Sequence, residues 1–186
     1  MHSVFIAHAD EDLKLAKRLS DFLERIDVRG HIQQEIARYG REPLPERIKR
    51  MITNSKFLVA LLTSHGISSE WVNQEIGYAI GTGVPIIPIK TEEVKLKGFI
   101  EDYKYISLNL NNPNIAFTNL LIDIRHDLGI YEAKGPCPKC WKEVIFSLED
   151  QGTLNRMVTE NLVYTKPCPE CDTKLQMKPN TFEISS

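Results

Sequence analysis

No apolar run in this 186-residue chain is long enough to span a bilayer. The opening MHSVFIAHADED follows a short apolar run with acids, where an export signal needs a basic flank and a longer apolar core. Neither a membrane-spanning nor an exported protein is expected, so the expected location is the cytoplasm. An excess of one charge is missing too. Lys plus Arg number 23 against 25 Asp plus Glu, so no overall field draws the chain to nucleic acid or to an acidic membrane. The absence of a Gly-x-Gly-x-x-Gly segment argues against a dinucleotide-binding oxidoreductase. Internal repeats and low-complexity segments are also absent. Cysteine does not occur before Cys137; the four present form two close pairs near the C-terminus.

What is present alternates between strand and helix patterns. Ser3 to Ala7 reads as a buried strand, and Asp10, Glu11 and Asp12 open a helix with Leu15, Leu19, Phe22 and Ile26 on one face. His31 to Ile36 is a second strand, placed near an edge by its polar centre. Ala37 to Pro45 is a loop, and Pro45 suits the first position of a helix carrying Ile48, Met51 and Ile52. Lys56 to Thr63 is the most continuously apolar segment and reads as the third strand. Val84 to Lys90 is a fourth, its two prolines suggesting an edge-ward place, and Tyr103 to Leu108 a fifth. A helix capped by Asn114 runs to Leu128. This order predicts an α/β fold, a flavodoxin-like five-stranded parallel sheet of order 2-1-3-4-5 with helices on both faces. Ligands of such sheets bind at the carboxyl ends of the first and third strands. His8-Ala9-Asp10 and Thr63-Ser64-His65 are therefore expected to converge on one cleft. A phosphoreceiver is disfavoured, since the third strand ends in Thr63 instead of an acceptor Asp.

The cleft should be completed by the helix over Ser68 to Gly83, SSEWVNQEIGYAIGTG. A serine caps it, Glu70 lies in its first turn, and Val72, Ile76, Ala79 and Ile80 form its core stripe. Trp71 and Glu75, four apart, share a second face with Tyr78. An aromatic ring beside a carboxylate can hold a sugar or a base. The plainer reading makes Glu75 a solvated helix acid and Trp71 a packing residue.

SVFIAHADED, PERIKRMITNS, KFLVALLTSHGISSEWVNQE and VPIIPIK together resemble a TIR (Toll/interleukin receptor and plant resistance-protein) domain of the prokaryotic branch, over roughly residues 1–130. Members either assemble as signalling scaffolds or cleave NAD at the nicotinamide-ribose bond. In the enzymatic members the Glu of a Ser-x-Trp-x-x-x-Glu pattern carries the activity, and Ser69, Trp71 and Glu75 stand at those positions. The resemblance thus implies a catalytic Glu75, with Trp71, His8, Ala9, Asp10, Ser69, Tyr39 and Arg38 around NAD as substrate. It further implies self-assembly, a role in prokaryotic defence or signalling, and nicotinamide plus linear or cyclic ADP-ribose as products. The alternative is a non-catalytic scaffold built on TIR–TIR contacts. Ala9 departs from relatives that carry a basic residue after the first strand, leaving Arg38, Arg41 or backbone amides to meet phosphate.

Beyond residue 130, Tyr131 to Pro136 reads as a linker to a second unit over 137–180. Cys137-Pro-Lys-Cys140 and Cys168-Pro-Glu-Cys171 are two CxxC knuckles, flanked by strand-like segments around Val144 to Phe146 and Leu162 to Tyr164. Four thiolates suit a closed structural zinc site in a β-rich unit that resembles a zinc ribbon. Redox dithiols are the competing reading. The unit is not basic overall, so a protein partner is expected ahead of nucleic acid.

Overall fold

The computed structural model describes residues 2–37, 42–148, 151–179 and 181–186. Strands β1 (His2–Ala7), β2 (Val28–His31), β3 (Phe57–Leu62), β4 (Ile86–Thr91) and β5 (Ile106–Leu108) form a parallel sheet in the order β2-β1-β3-β4-β5. The expected doubly wound arrangement is present. The helices are α1 (Leu13–Glu24), α2 (Gln33–Ala37), α3 (Leu44–Asn54), α4 (Ser64–Ser68), α5 (Glu70–Thr82) and α6 (Asn114–Leu128). Side-chain alternation along the strands divides the core in two. Val4, Ile6, Val59 and Leu61 pack with α1 and α6, whereas Phe5, Ala7, Leu58, Ala60 and Leu62 pack with α3 and α5. Because β3 is buried along its whole length on both faces, its sequence is apolar without interruption.

Local chemistry sets the helix ends that matter for the site. Ser69 caps α5 by accepting a hydrogen bond from Val72 N at 3.3 Å, and Gly83, at φ 72°, closes it in the left-handed region. Thr63 caps α4, its Oγ1 accepting from the amides of His65 and Gly66 while donating to Asp12 Oδ2 at 2.7 Å. One buried hydroxyl thus ties the segment after β1 to the segment after β3. Gly66 is required there, since a Cβ would come within 2.1 Å of Leu61 O.

Several expectations shift. The second strand is Val28–His31, and Gln33–Ala37 is helical. Gly30 interrupts the sequence pattern, yet its bare Cα is what lets β2 lie against α1: an added Cβ would be 2.8 Å from Ser20 Oγ, which donates to Gly30 O. In β4, Pro88 pairs with β3 but precedes the β5 ladder, which begins at Ile89, so its missing donor is tolerated beside a short edge strand. Asn114 opens α6 from its first helical position, and Pro113 occupies the cap.

Residues 131–136, expected as a linker, contain strand β6 (Glu132–Pro136), antiparallel to β7 (Glu143–Ser147). Helix α7 (Gln151–Thr159) accounts for the long interval between the knuckles, and β8 (Tyr164–Pro167), β9 (Lys174–Met177) and β10 (Ile184–Ser185) complete the unit past residue 180. This unit shares the α1/α6 side of the core. Buried Phe182 lies 5.3 Å from Phe22, which is 5.8 Å from Phe117, and Arg25 Nη1 donates to Thr181 O at 2.6 Å. The C-terminal unit therefore packs on the sheet face opposite α3 and α5.

Candidate functional site

Helices α3 and α5 enclose a cavity of about 320 Å³ lined by Pro45, Ile48, Lys49, Ile52, Trp71, Gln74, Glu75 and Tyr78. Trp71, Glu75 and Tyr78 form the second face of α5 recognised in the sequence. That face does not point to solvent, because α3 packs across it, and Glu75 is only 4% exposed. Among the described residues, neither Glu75 oxygen has a hydrogen-bond partner, nor has the indole nitrogen of Trp71. Burial pushes the Glu75 carboxyl up to about 8; the Trp71 indole N–H leans toward it and offsets part of that rise without closing a full hydrogen bond. A buried acid with so little compensation costs stability, and such acids cluster where a ligand supplies what the protein withholds.

Hydrogen bonds set the spacing of the two walls. Thr53 Oγ1 donates to Lys49 O at 3.0 Å, and since a hydroxyl has one hydrogen, Tyr78 OH is the donor in its 3.3 Å contact with Thr53 Oγ1. The chain Tyr78–Thr53–Lys49 thereby links α5 to α3 beside the cavity.

The carboxyl ends of β1 and β3 converge as expected, but on a separate depression of about 600 Å³ lined by Ala9, Asp10, Glu11, Ser64, His65, Ser68 and Ser69. Of the residues singled out in the sequence, Ala9, Asp10 and Ser69 border this depression, whereas Trp71 and Glu75 border the cavity. His8 borders neither. It is buried, with Nδ1 2.9 Å from Ile6 O and Nε2 2.9 Å from Gln34 Oε1, and Gln34 in turn donates to Asp10 Oδ1 at 2.9 Å. Arg38 and Tyr39, with Gly40 and Arg41, lie outside the described residues. Sequence reasoning missed the contribution of α3, especially Lys49. The amphipathic pattern of α3 was visible, but its partner across the cavity was not.

The four cysteines form one cluster. All four sulfurs lie within 4.8 Å of one another, with Cys137 to Cys171 at 3.8 Å and Cys140 to Cys168 at 3.7 Å. Thiolates about 2.3 Å from a tetrahedral zinc stand about 3.8 Å apart, so the arrangement fits such an ion. The knuckles repeat one another in backbone geometry. Cys137 N donates to Lys142 O and Trp141 N to Cys137 O; Cys168 N donates to Thr173 O and Asp172 N to Cys168 O. The residue after each second cysteine is left-handed, Trp141 at φ 62° and Asp172 at φ 55°. Trp141 is 77% exposed.

A five-stranded doubly wound domain with a buried acid and a tryptophan on α5, between its third and fourth strands, defines a TIR-type α/β protein, here joined to a unit whose four cysteines are clustered closely enough to hold a metal ion. The sequence profile of the TIR domain matches residues 4–121, and the chain belongs to that family. The fold is also found in the TIR domain of the Toll-related receptor TRR-2 from the lower metazoan Hydra magnipapillata, at 21% identity and a TM-score of 0.57 over 67% of this chain and 99% of that one. Looser likenesses are to the CMP N-glycosidase BcmB of Clostridium botulinum (20% identity, TM-score 0.46, 63% of this chain and 98% of that one) and to a 2-desoxiribosyltransferase from Leishmania mexicana (17%, 0.41, 57% and 73%). No curated protein sequence matches the chain. Among the described residues, no helix is long and apolar enough to cross a membrane.

Proposed function

We propose that this TIR domain is an NAD glycohydrolase that breaks the nicotinamide-ribose bond. The observation that carries the reading is Glu75, buried in the α3/α5 cavity with both carboxyl oxygens unpartnered among the described residues. In NAD the nicotinamide ring is cationic. When the bond from ribose C1′ to the ring nitrogen breaks, the electron pair leaves with nicotinamide, which becomes neutral, and positive charge develops on the ribose. The Glu75 carboxylate faces that charge in a site from which bulk water is largely excluded, where its effect is greatest. The cationic ring also favours the ionised carboxyl, opposing the burial that holds a proton on the empty site. Trp71 and Tyr78 supply flat walls for the ring. Water attacking C1′ and losing a proton gives ADP-ribose, whereas attack by the adenine or a ribose hydroxyl of the same molecule gives a cyclic product.

The test is incubation of the purified protein at high concentration with NAD while free nicotinamide is followed. Release that Glu75→Ala abolishes supports the reading; no release, or release that survives the substitution, removes it. A scaffold role through TIR–TIR contacts is the second reading, favoured by exposed Phe99, Tyr105 and Leu110 near edge strand β5. It predicts assembly that Glu75→Ala leaves intact.

The reading places the protein in the cytoplasm, in defence or signalling, with self-assembly as the activating step. We further propose that Cys137, Cys140, Cys168 and Cys171 hold a structural zinc ion, whose role is to cross-link the two knuckles and stabilise the unit. Trp141, exposed at a knuckle, would face a protein partner.

A further inference from the structure

We propose that Lys49 is the phosphate-binding residue of the Glu75 cavity, so that the site selects a 5′-phosphorylated pyridine nucleoside and the phosphate passes over α3. This rests on the glycohydrolase reading and names what it leaves open, the group that meets the anionic part of the substrate. Lys49 is the one cation among the described residues that line the cavity. The separate depression at the ends of β1 and β3 carries Asp10 and Glu11, whose charge repels phosphate, and Ala9 there is buried and uncharged. Two residues lining one cavity of about 320 Å³ are within the reach of a single nucleotide. In this assignment the ribose diol meets Glu75 and the ring lies against Trp71, both on α5, and the 5′ phosphate meets Lys49 on α3, the facing wall of the cavity.

Lys49 already pairs with an anionic group. Its ammonium lies 2.6 Å from Glu46 Oε1, one turn earlier on α3, and that contact keeps its pKa above the ordinary lysine value. Both partners are largely exposed, so the pair is weak and its carboxylate can be exchanged for a phosphate without breaking anything buried. The backbone carbonyl of Lys49 receives the Thr53 hydroxyl that also contacts Tyr78, so its helix turn is fixed relative to the aromatic wall.

The experiment compares NAD with nicotinamide riboside, which keeps the scissile bond and lacks phosphate, on wild type, Lys49→Ala and Lys49→Arg. Lys49→Ala should raise KM for NAD about tenfold while kcat stays within about twofold, and leave kcat/KM for the riboside unchanged. Lys49→Arg should restore most of the loss. An equal effect on both substrates, or none on either, overturns the proposal while leaving the glycohydrolase reading in place. Binding of NAD and of the riboside to the Glu75→Gln protein, with and without Lys49→Ala, gives a readout that needs no turnover. Loss of NAD affinity alone supports the assignment, and unchanged or equally reduced affinities for the two ligands overturn it. If wild type releases nicotinamide from neither compound, the glycohydrolase reading fails separately.

Discussion

Replacing Glu75 by Gln is expected to stabilise the protein, and to do so more as pH rises. Folding moves this carboxyl from an ordinary value of 4.5 to about 8 because α3, α5 and the sheet strip it of water, a rise that the Trp71 indole only partly offsets. Between those two values the folded chain holds a proton that the unfolded chain has released, so raising the pH favours unfolding. The contribution is fully present below 4.5, is lost as pH rises through about 8, and is flat above. At about 1.4 kcal/mol per tenfold the whole interval is worth about 5 kcal/mol, and about 4 kcal/mol of it falls between pH 5 and pH 8.5. Gln keeps the shape and cannot ionise. For a chain of this size each kcal/mol moves Tm by about 2–4 °C, so the gap between Glu75→Gln and wild type should widen by about 10 °C over that range. Thermal unfolding by circular dichroism, at matched metal content and several pH values, measures it. Parallel Tm curves, or a gap that closes with pH, would refute the assignment of an uncompensated buried acid.

On the glycohydrolase reading the same carboxyl acts ionised, so kcat/KM for NAD should climb with pH and level off above about 8, while the kcat profile, read in the substrate complex, lies at lower pH; profiles with a coincident midpoint would count against it. Metal analysis should find one zinc per chain, and its removal by a chelator should lower the Tm of the whole protein, since Phe182 and Arg25 join the cysteine-bearing unit to the TIR core. A TIR transition indifferent to chelation would mean that the shared core is energetically trivial. Gly66→Ala should cost at least about 3 kcal/mol, because its Cβ would meet Leu61 O at 2.1 Å, a backbone atom fixed in β3; denaturant unfolding with a change under about 1 kcal/mol would contradict that geometry.

Much of this protein is determined by patterns that act over a few residues. The apolar run of β3, the serine and glycine that bound α5, and the alternation of strand with helix are local instructions, and they suffice for a doubly wound sheet. The Ser-x-Trp-x-x-x-Glu spacing and the two CxxC pairs likewise name their residues without tertiary help. Where local pattern misleads, the competing force is tertiary: Gly30 breaks the periodicity of β2 because close packing on Ser20 needs a residue without a side chain, and residues 132–136 become a strand because β7 offers a ladder. Only the folded chain decides that Glu75 is buried instead of solvated, since the wall that desolvates it comes from α3, more than twenty residues earlier. It also decides that the ends of β1 and β3 open onto a second depression, and that Lys49 stands across the cavity from the acid. Periodicity reports which face a residue occupies, whereas burial, proton affinity and the shape of a cavity are set by whatever another part of the chain lays against that face.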